Sequence, residues 1–247
     1  MFSKNRACQL ELLLRSLNIE VTVIYTCDKG FDLGYEQVID LYPNVNFVRE
    51  FNFKDQILAA IGKTPHVMFL VDDDVMLEGF REECAEFALF KSNLSILCLN
   101  LRMTPRYRCG DKPILVDNHW AWEQYKHGKT RNWGYPMSTS SHIFRSTDIM
   151  PMLVSRNFDT PHTLEKVLRS KAINRPLMLC FENPKFINNS ANQVQTAYPF
   201  PSLGIPVKEL ELGFTSGRRL SLSAIRLAAS QATDCFMFTP YEWEDGE

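Results

Sequence analysis

No stretch of this 247-residue sequence approaches the apolar length that spans a bilayer, and its start lacks a basic region followed by an apolar one. A cytosolic location is the expectation. Charge of one sign is also missing. With 27 Lys and Arg against 29 Asp and Glu, the formal charge is −2, so no long-range positive field favours nucleic acid or an anionic membrane. Any phosphate must be met locally, by a few placed cations or a metal. Cys8, Cys27, Cys84, Cys98, Cys109, Cys180 and Cys235 are odd in number and form no C-x-x-C pair, which argues against a disulfide frame or a zinc site. Glycine is absent from Ser3 to Gln9 and no G-x-x-x-x-G-K-[ST] occurs, which counts against a sugar nucleotidyltransferase and a Walker-type NTPase. There is no internal repeat and no low-complexity linker.

What is present is 45% hydrophobic and 23% charged residues, enough to bury one large α/β domain. Apolar residues recur at helical spacing from Cys8 to Leu17, and β-branched Val21 to Thr26 reads as a strand closing in the Asp28-Lys29-Gly30 turn. A helix around Tyr35 to Leu41, a strand at Val45 to Val48 and a helix from Lys54 to Ile61 follow. The apolar run from His66 to Val71 leads into Asp72-Asp73-Asp74. Leu94 to Leu99 and Leu177 to Phe181 read as further strands, and Leu220 to Ala232 as a C-terminal helix. Residues 102–141 read as long loops and Glu242 to Glu247 as a fraying end. Strands alternating with helices predict a mostly parallel sheet flanked by helices, with ligands gathering at the carboxyl ends of the strands.

Three adjacent aspartates raise one another's pKa unless a cation neutralises them. In an extended segment Asp72 and Asp74 point to one side, which suits a hard divalent ion, Mg²⁺ or Mn²⁺, held by these two and bridging a nucleotide diphosphate. Asp runs also occur in solvated turns and helix caps.

Phe2-Ser3-Lys4-Asn5-Arg6 with Gln9, Leu10 and Ser16-Leu17, followed by Phe69 to Val75, resembles family 2-like glycosyltransferases of the GT-A type carrying the D-x-D motif. Trp133-Gly134-Tyr135-Pro136, Ser141 to Arg145, Asp148-Ile149, Pro161 to Glu165, Asn192 to Gln195 and Gly217 to Leu220 look like landmarks of one subgroup of bacterial and viral sugar transferases. The resemblance implies a Rossmann-like GT-A domain over 1–247. Residues 1–100 would bind a nucleotide-sugar, and 101–247, more irregular, would bind a glycan or glycoconjugate acceptor. The implied reaction moves a hexose or deoxyhexose, with UDP the first guess, by inversion.

The same resemblance places Lys4 and Arg6 near the nucleotide, Asp28 on base or ribose, Lys54 and Asp55 on ribose or phosphate, and Asp72 and Asp73 on the donor. Asp28 could equally stabilise its turn, and Lys4 and Lys54 could be solvated charges. Glu165 matches the acidic residue that faces the acceptor, and its alternative is a first-turn Glu on a helix dipole. Asp148 and Asp159 are rivals, with Asp148 read rather as the cap of a helix beginning at Ile149. His142 could be a third metal ligand or a sugar contact, or satisfied structurally. Trp120, Trp122, Trp133 and Tyr135 could form a sugar platform or pack loops. Asn192 and Gln195 could meet an acceptor or hold the C-terminal region.

Two departures stand out. Only Met1 and Phe2 represent the first strand, and the segment holding Ser141-His142 lacks the Asp-Gly expected before Ile-Phe-Arg. A glycan-binding protein that keeps the fold without catalysis is the rival from a different class.

Overall fold

The computed structural model describes residues 1–62, 64–107, 113–123, 137–169, 173–194 and 199–246. The first strand is short, three residues. β1 (Phe2–Lys4) leads through Asn5, at φ 56°, into α1 (Ala7–Ser16), whose apolar residues are buried around most of its circumference. There follow β2 (Thr22–Thr26), α2 (Asp32–Leu41), β3 (Asn46–Arg49), α3 (Phe53–Ile61) and β4 (His66–Phe69). These agree with the expected elements to within a few residues. β1, β2 and β3 form a parallel sheet, with Phe2 beside Ile24 and Val23 beside Phe47. A parallel bridge from Phe2 to Val71, with Phe2 N donating to Leu70 O at 3.0 Å, ties β1 to the continuation of β4.

Beyond β4 the chain forms β5 (Asp74–Met76), α4 (Ala85–Ser92), β6 (Ile96–Asn100), β7 (Ile114–Val116), β8 (His119–Glu123) and β9 (His142–Arg145). Next are α5 (Ser146–Ser155), α6 (Pro161–Leu168), β10 (Leu177–Cys180), β11 (Phe186–Asn189) and α7 (Val207–Thr215). The chain ends with β12 (Arg218–Leu220), α8 (Leu222–Ser230), β13 (Phe236–Met237) and β14 (Trp243–Asp245).

The expected mostly parallel sheet holds for β1 to β3. The larger sheet, ordered β4-β9-β6-β10-β8-β7, is mixed: only β6 and β10 pair in parallel. Two features make it so. β9, buried at all four residues, inserts between β4 and β6 against both. β7 and β8, in a region expected to be loop, form a hairpin whose turn residues Asp117 and Asn118 have φ of 48° and 64°, the left-handed values a tight hairpin requires. Glu242 to Gly246 do not fray either. β14 pairs with β12, and Glu244 meets Arg15 at 2.5 Å.

Packing joins both halves of the sequence. One core cluster combines Phe2, Ile24 and Phe53 with Ile149, Leu153 and Leu164, while another sets Leu10 and Leu14 against Val38, Phe214 and Ile225. α2 has no side-chain cap of its own. The buried Glu211 of α7 accepts from Gly34 N at 3.0 Å instead, and a Cβ at Gly34 would lie 2.4 Å from that carboxylate. Among the described residues no helix is long and apolar enough to cross a membrane.

Candidate active site

Asp72 and Asp73 occupy a turn after β4, and Asp74 opens β5, with Asp74 N donating to Val71 O at 2.9 Å. Because the segment turns, the same-side rule for extended chains does not apply. Asp72 and Asp73 share one guanidinium: Arg6 Nη1 donates to Asp72 Oδ1 at 2.9 Å and to Asp73 Oδ2 at 2.7 Å. On its other edge Arg6 Nε donates to Asn192 Oδ1 at 2.8 Å and Nη2 to the Asn192 carbonyl. Lys4 N reaches Asp72 Oδ2 at 3.3 Å. Burial pushes the Asp73 carboxyl up to about 7; Arg6 opposes this, and Asp72 and Asp74 add to it. Arg6 is itself buried, which lowers its pKa, but the Asp73 and Asp72 charges outweigh that and hold it cationic.

Asp74 faces elsewhere. It is fully buried, and its Oδ1 accepts from Ser140 Oγ at 2.7 Å and Asn188 Nδ2 at 3.0 Å, while Oδ2 accepts from Val71 N at 3.1 Å. Burial raises its pKa, against the opposing influences of Arg102, Asn188 and Ser140. Arg102 Nη1 donates to the same Ser140 hydroxyl at 3.1 Å and lies over the Phe236 ring. The run is thus balanced by two buried arginines, one bonded directly and one through Ser140.

His142 is occupied on both nitrogens. Asn100 Oδ1 accepts from Arg102 N and Met103 N, which turns its amide so that Nδ2 donates to His142 Nε2 at 2.6 Å; Nδ1 then donates to Ser140 O at 2.7 Å. Burial pushes its pKa down to about 3, so it stays neutral. Of the alternatives open for His142, both ring bonds fit the structural one. Stability from a neutral buried His is fully present above its unfolded pKa near 6.5 and is lost as pH falls toward 3. Between pH 6 and 4, His142→Gln should unfold with a pH slope shallower than the parent's by up to about 1.4 kcal/mol per pH unit. Urea unfolding at stepped pH measures this, and equal slopes would place the ring in solvent.

The remaining expected residues divide. Asp28 lies with Lys4 and Asn5 at the carboxyl ends of β1 and β2. Asn5 Nδ2 donates to Asp28 Oδ2 and Asp28 N to Asn5 Oδ1, both at 2.7 Å, and Lys4 Nζ stands 4.0 Å from Asp28 Oδ1. The Asp28 side chain is 66% exposed, so it can still meet a ligand. Lys54 and Asp55 are engaged elsewhere. Lys54 Nζ donates to Val154 O on α5, and Asp55 exchanges hydrogen bonds with Asn52, the cap of α3.

Glu165 sits on α6, whose start is fixed by a Thr160–Thr163 capping box with Pro161 in the first turn. Its Oε1 accepts from Thr139 N at 3.0 Å. Thr139 adjoins Ser140, which holds Asp74, so one short segment ties Glu165 to the aspartate run. Asp148 does not cap a helix at Ile149. It lies inside the first turn of α5 and pairs with Arg175 Nε at 2.8 Å. Asp159 accepts from Thr163 Oγ1. Trp122 is buried on β8 as packing. Trp133, Tyr135 and Gln195 fall outside the described residues.

Sequence reasoning did not single out Arg102, Ser140, Asn188 or Asn100. The signal was faint: small residues from Asn188 to Asn192, four of them polar, which close β11 and follow it, all five buried.

No family model matches the chain. It is similar to the bifunctional glycosyltransferase pgtA of Dictyostelium discoideum, 27% identical over 252 residues, an alignment covering 81% of this chain and 32% of that protein. The likeness is to a glycosyltransferase. The chain spans about a third of the length of that relative. The matched stretch covers most of the chain.

Proposed function

We propose that the chain is a GT-A type glycosyltransferase domain that moves a hexose or deoxyhexose from a nucleotide-diphosphate sugar, UDP the first choice, to a hydroxyl of a glycan or glycoconjugate with inversion. The observation that carries this reading is the buried cluster of Arg6 with Asp72 and Asp73, placed where β1 and β4 end. Ligands of open α/β sheets bind at such strand ends. The parallel β1 to β3 sheet and the similarity to pgtA support the same reading.

In this reading Arg6, expected near the nucleotide, holds Asp72 and Asp73 in place beside the diphosphate, the exposed Lys4 meets the diphosphate, and Asp28 meets the ribose or base. The family resemblance implies Mn²⁺ or Mg²⁺ on Asp72 and Asp74. The residues as placed do not fit that pair of ligands. Both oxygens of Asp74 accept hydrogen bonds inside the protein, Asp72 faces Arg6, and among the described residues no three His, Cys, Asp or Glu side chains converge. Transfer begins as the Glu165 carboxylate takes the proton of the acceptor hydroxyl. The new C1–O bond forms as the C1–phosphate oxygen bond breaks, and the electron pair leaves on the diphosphate, beside the Lys4 ammonium.

Glu165→Gln keeps size and hydrogen-bonding capacity but cannot accept that proton. Transfer should fall about 10²-fold or more while nucleotide affinity stays within about 2-fold of the parent. Coupled calorimetry and product assay read both. Transfer at the parent rate would remove Glu165 as the base, and donor binding with no transfer by the parent to any glycan would favour a binding protein.

A further inference from the structure

A cavity of about 410 Å³, open to solvent, lies at the corner where α5 gives way to α6, lined by Arg156, Asn157, Thr163, Lys166 and Val167. Its volume falls in the range of small-ligand sites, about 300–1,000 Å³. Arg156 ends α5 in an extended conformation and Asn157 follows it, while Thr163, Lys166 and Val167, three and four residues apart, share one face of α6. Glu165 leaves the same helix on the opposite side, toward Thr139, so the cavity is separate from the base assigned to transfer. Val167, 6% exposed, is its apolar floor. The Thr163 hydroxyl is taken, since it donates to Asp159 Oδ1 at 2.9 Å and accepts from Thr160 N at 2.9 Å, and its methyl remains for a ligand. Arg156 and Lys166 are exposed and, among the described residues, form no ion pair. The neighbouring carboxylates are engaged elsewhere, Asp159 by that hydroxyl and Glu165 by Thr139 N.

We propose that this cavity is a second saccharide site, for a sugar that carries an oxyanion, either a carboxylate or a phosphate. The Arg156 guanidinium offers a planar fork that matches both groups, and the Lys166 ammonium adds a second charge. The Asn157 amide supplies a donor and an acceptor to a neighbouring hydroxyl. Val167 and the Thr163 methyl give apolar surface to the C–H face of the ring. A bare oxyanion would leave most of the volume unfilled and gain nothing from that surface, and a neutral sugar would gain nothing from the two cations. The assignment uses no residue of the aspartate run and stands apart from the choice of donor.

Calorimetric titration with glucuronate, glucose 6-phosphate, glucose and inorganic phosphate reads the site. The parent should bind glucuronate or glucose 6-phosphate, which of the two separating carboxylate from phosphate, at least about 10-fold more tightly than glucose or inorganic phosphate, and less tightly as salt rises. Arg156→Gln combined with Lys166→Gln should lose about 10-fold or more of that affinity with the unfolding midpoint unchanged, because both side chains are exposed. Arg81→Gln combined with Lys208→Gln removes the same charge at exposed positions elsewhere and should bind as the parent does. No binding of either acidic sugar, equal affinity for glucose or for inorganic phosphate, or equal losses in the two double variants would overturn the proposal. None of these outcomes depends on nucleotide binding, so the transferase reading stands or falls separately.

Discussion

Replacing Arg6 with Gln is expected to lower the unfolding free energy by about 3–5 kcal/mol near neutral pH and to abolish nucleotide binding. The guanidinium is 7% exposed in its side chain and supplies hydrogen bonds to Asp72, Asp73 and Asn192 at once. Gln leaves two buried carboxylates with no direct counter-charge. The loss should depend on pH. Asp73 already has its folded pKa raised from 3.8 to about 7, so its contribution is full below 3.8 and is lost as pH rises through 7. Without Arg6 the Asp73 carboxyl rises further, so the gap between variant and parent should widen as pH rises above 7, where the parent ionises Asp73 and the variant still holds the proton. Arg6→Lys should recover only part of the stability, because one ammonium cannot reproduce a planar fork that spans Asp72, Asp73 and Asn192. Urea unfolding with a constant m-value measures each variant, and a loss below about 1 kcal/mol for Gln would mean that the pair is solvated.

Asp74→Ala should cost about as much, roughly 3 kcal/mol or more, through a different network. The substitution strips the acceptor from Ser140 Oγ, Asn188 Nδ2 and Val71 N together, and leaves Arg102 buried with its bridging hydroxyl unanchored. Asp74→Asn should lose less, because one oxygen still accepts from Ser140 and Asn188 while the amide faces Val71 N as a donor against a donor. Asn188→Ala should not add its full effect to Asp74→Ala, since both remove the same bond, and a double-mutant cycle reads that coupling. Additive losses would separate Asn188 from the network.

Much of the first hundred residues could be read in advance because local signals agree there with the fold. The 3.6-residue spacing of α1, the β-branched run of β2 and the apolar run of β6 each match the environment they meet. Elements whose existence depends on distant partners could not be read this way. β5 and β11 are short and polar at one end, and they exist as strands because Val75 lies opposite Ile187 and Asp74 opposite Asn188. The β7–β8 hairpin rests on Asp117 and Asn118 accepting left-handed conformations, a signal weaker than Asn-Gly.

The site divides along the same line. The aspartate run was marked in advance by the strand that precedes it, and Arg6 was expected near the nucleotide. The direction of each carboxylate was not legible, because the turn at Asp72–Asp73 reverses the alternation that an extended strand would impose. That Arg6 faces Asp72 and Asp73 is a contact across 66 and 67 positions in sequence, which no local pattern encodes. His142 likewise looked available because its partners, Ser140 O and Asn100, are set by the docking of β9 beside β6.

The most direct measurement is a calorimetric titration of the parent and Arg6→Gln with UDP, GDP, dTDP and CDP, each with Mn²⁺ and with chelator. The two conditions read separately whether a cation joins the diphosphate. The parent should bind one of the four in at least one condition, and Arg6→Gln, folded at the assay temperature, should bind none. Absence of binding by the parent to all four in both conditions, or parent-like affinity in the Arg6 variant, would contradict a donor site built on Arg6 and the aspartate run.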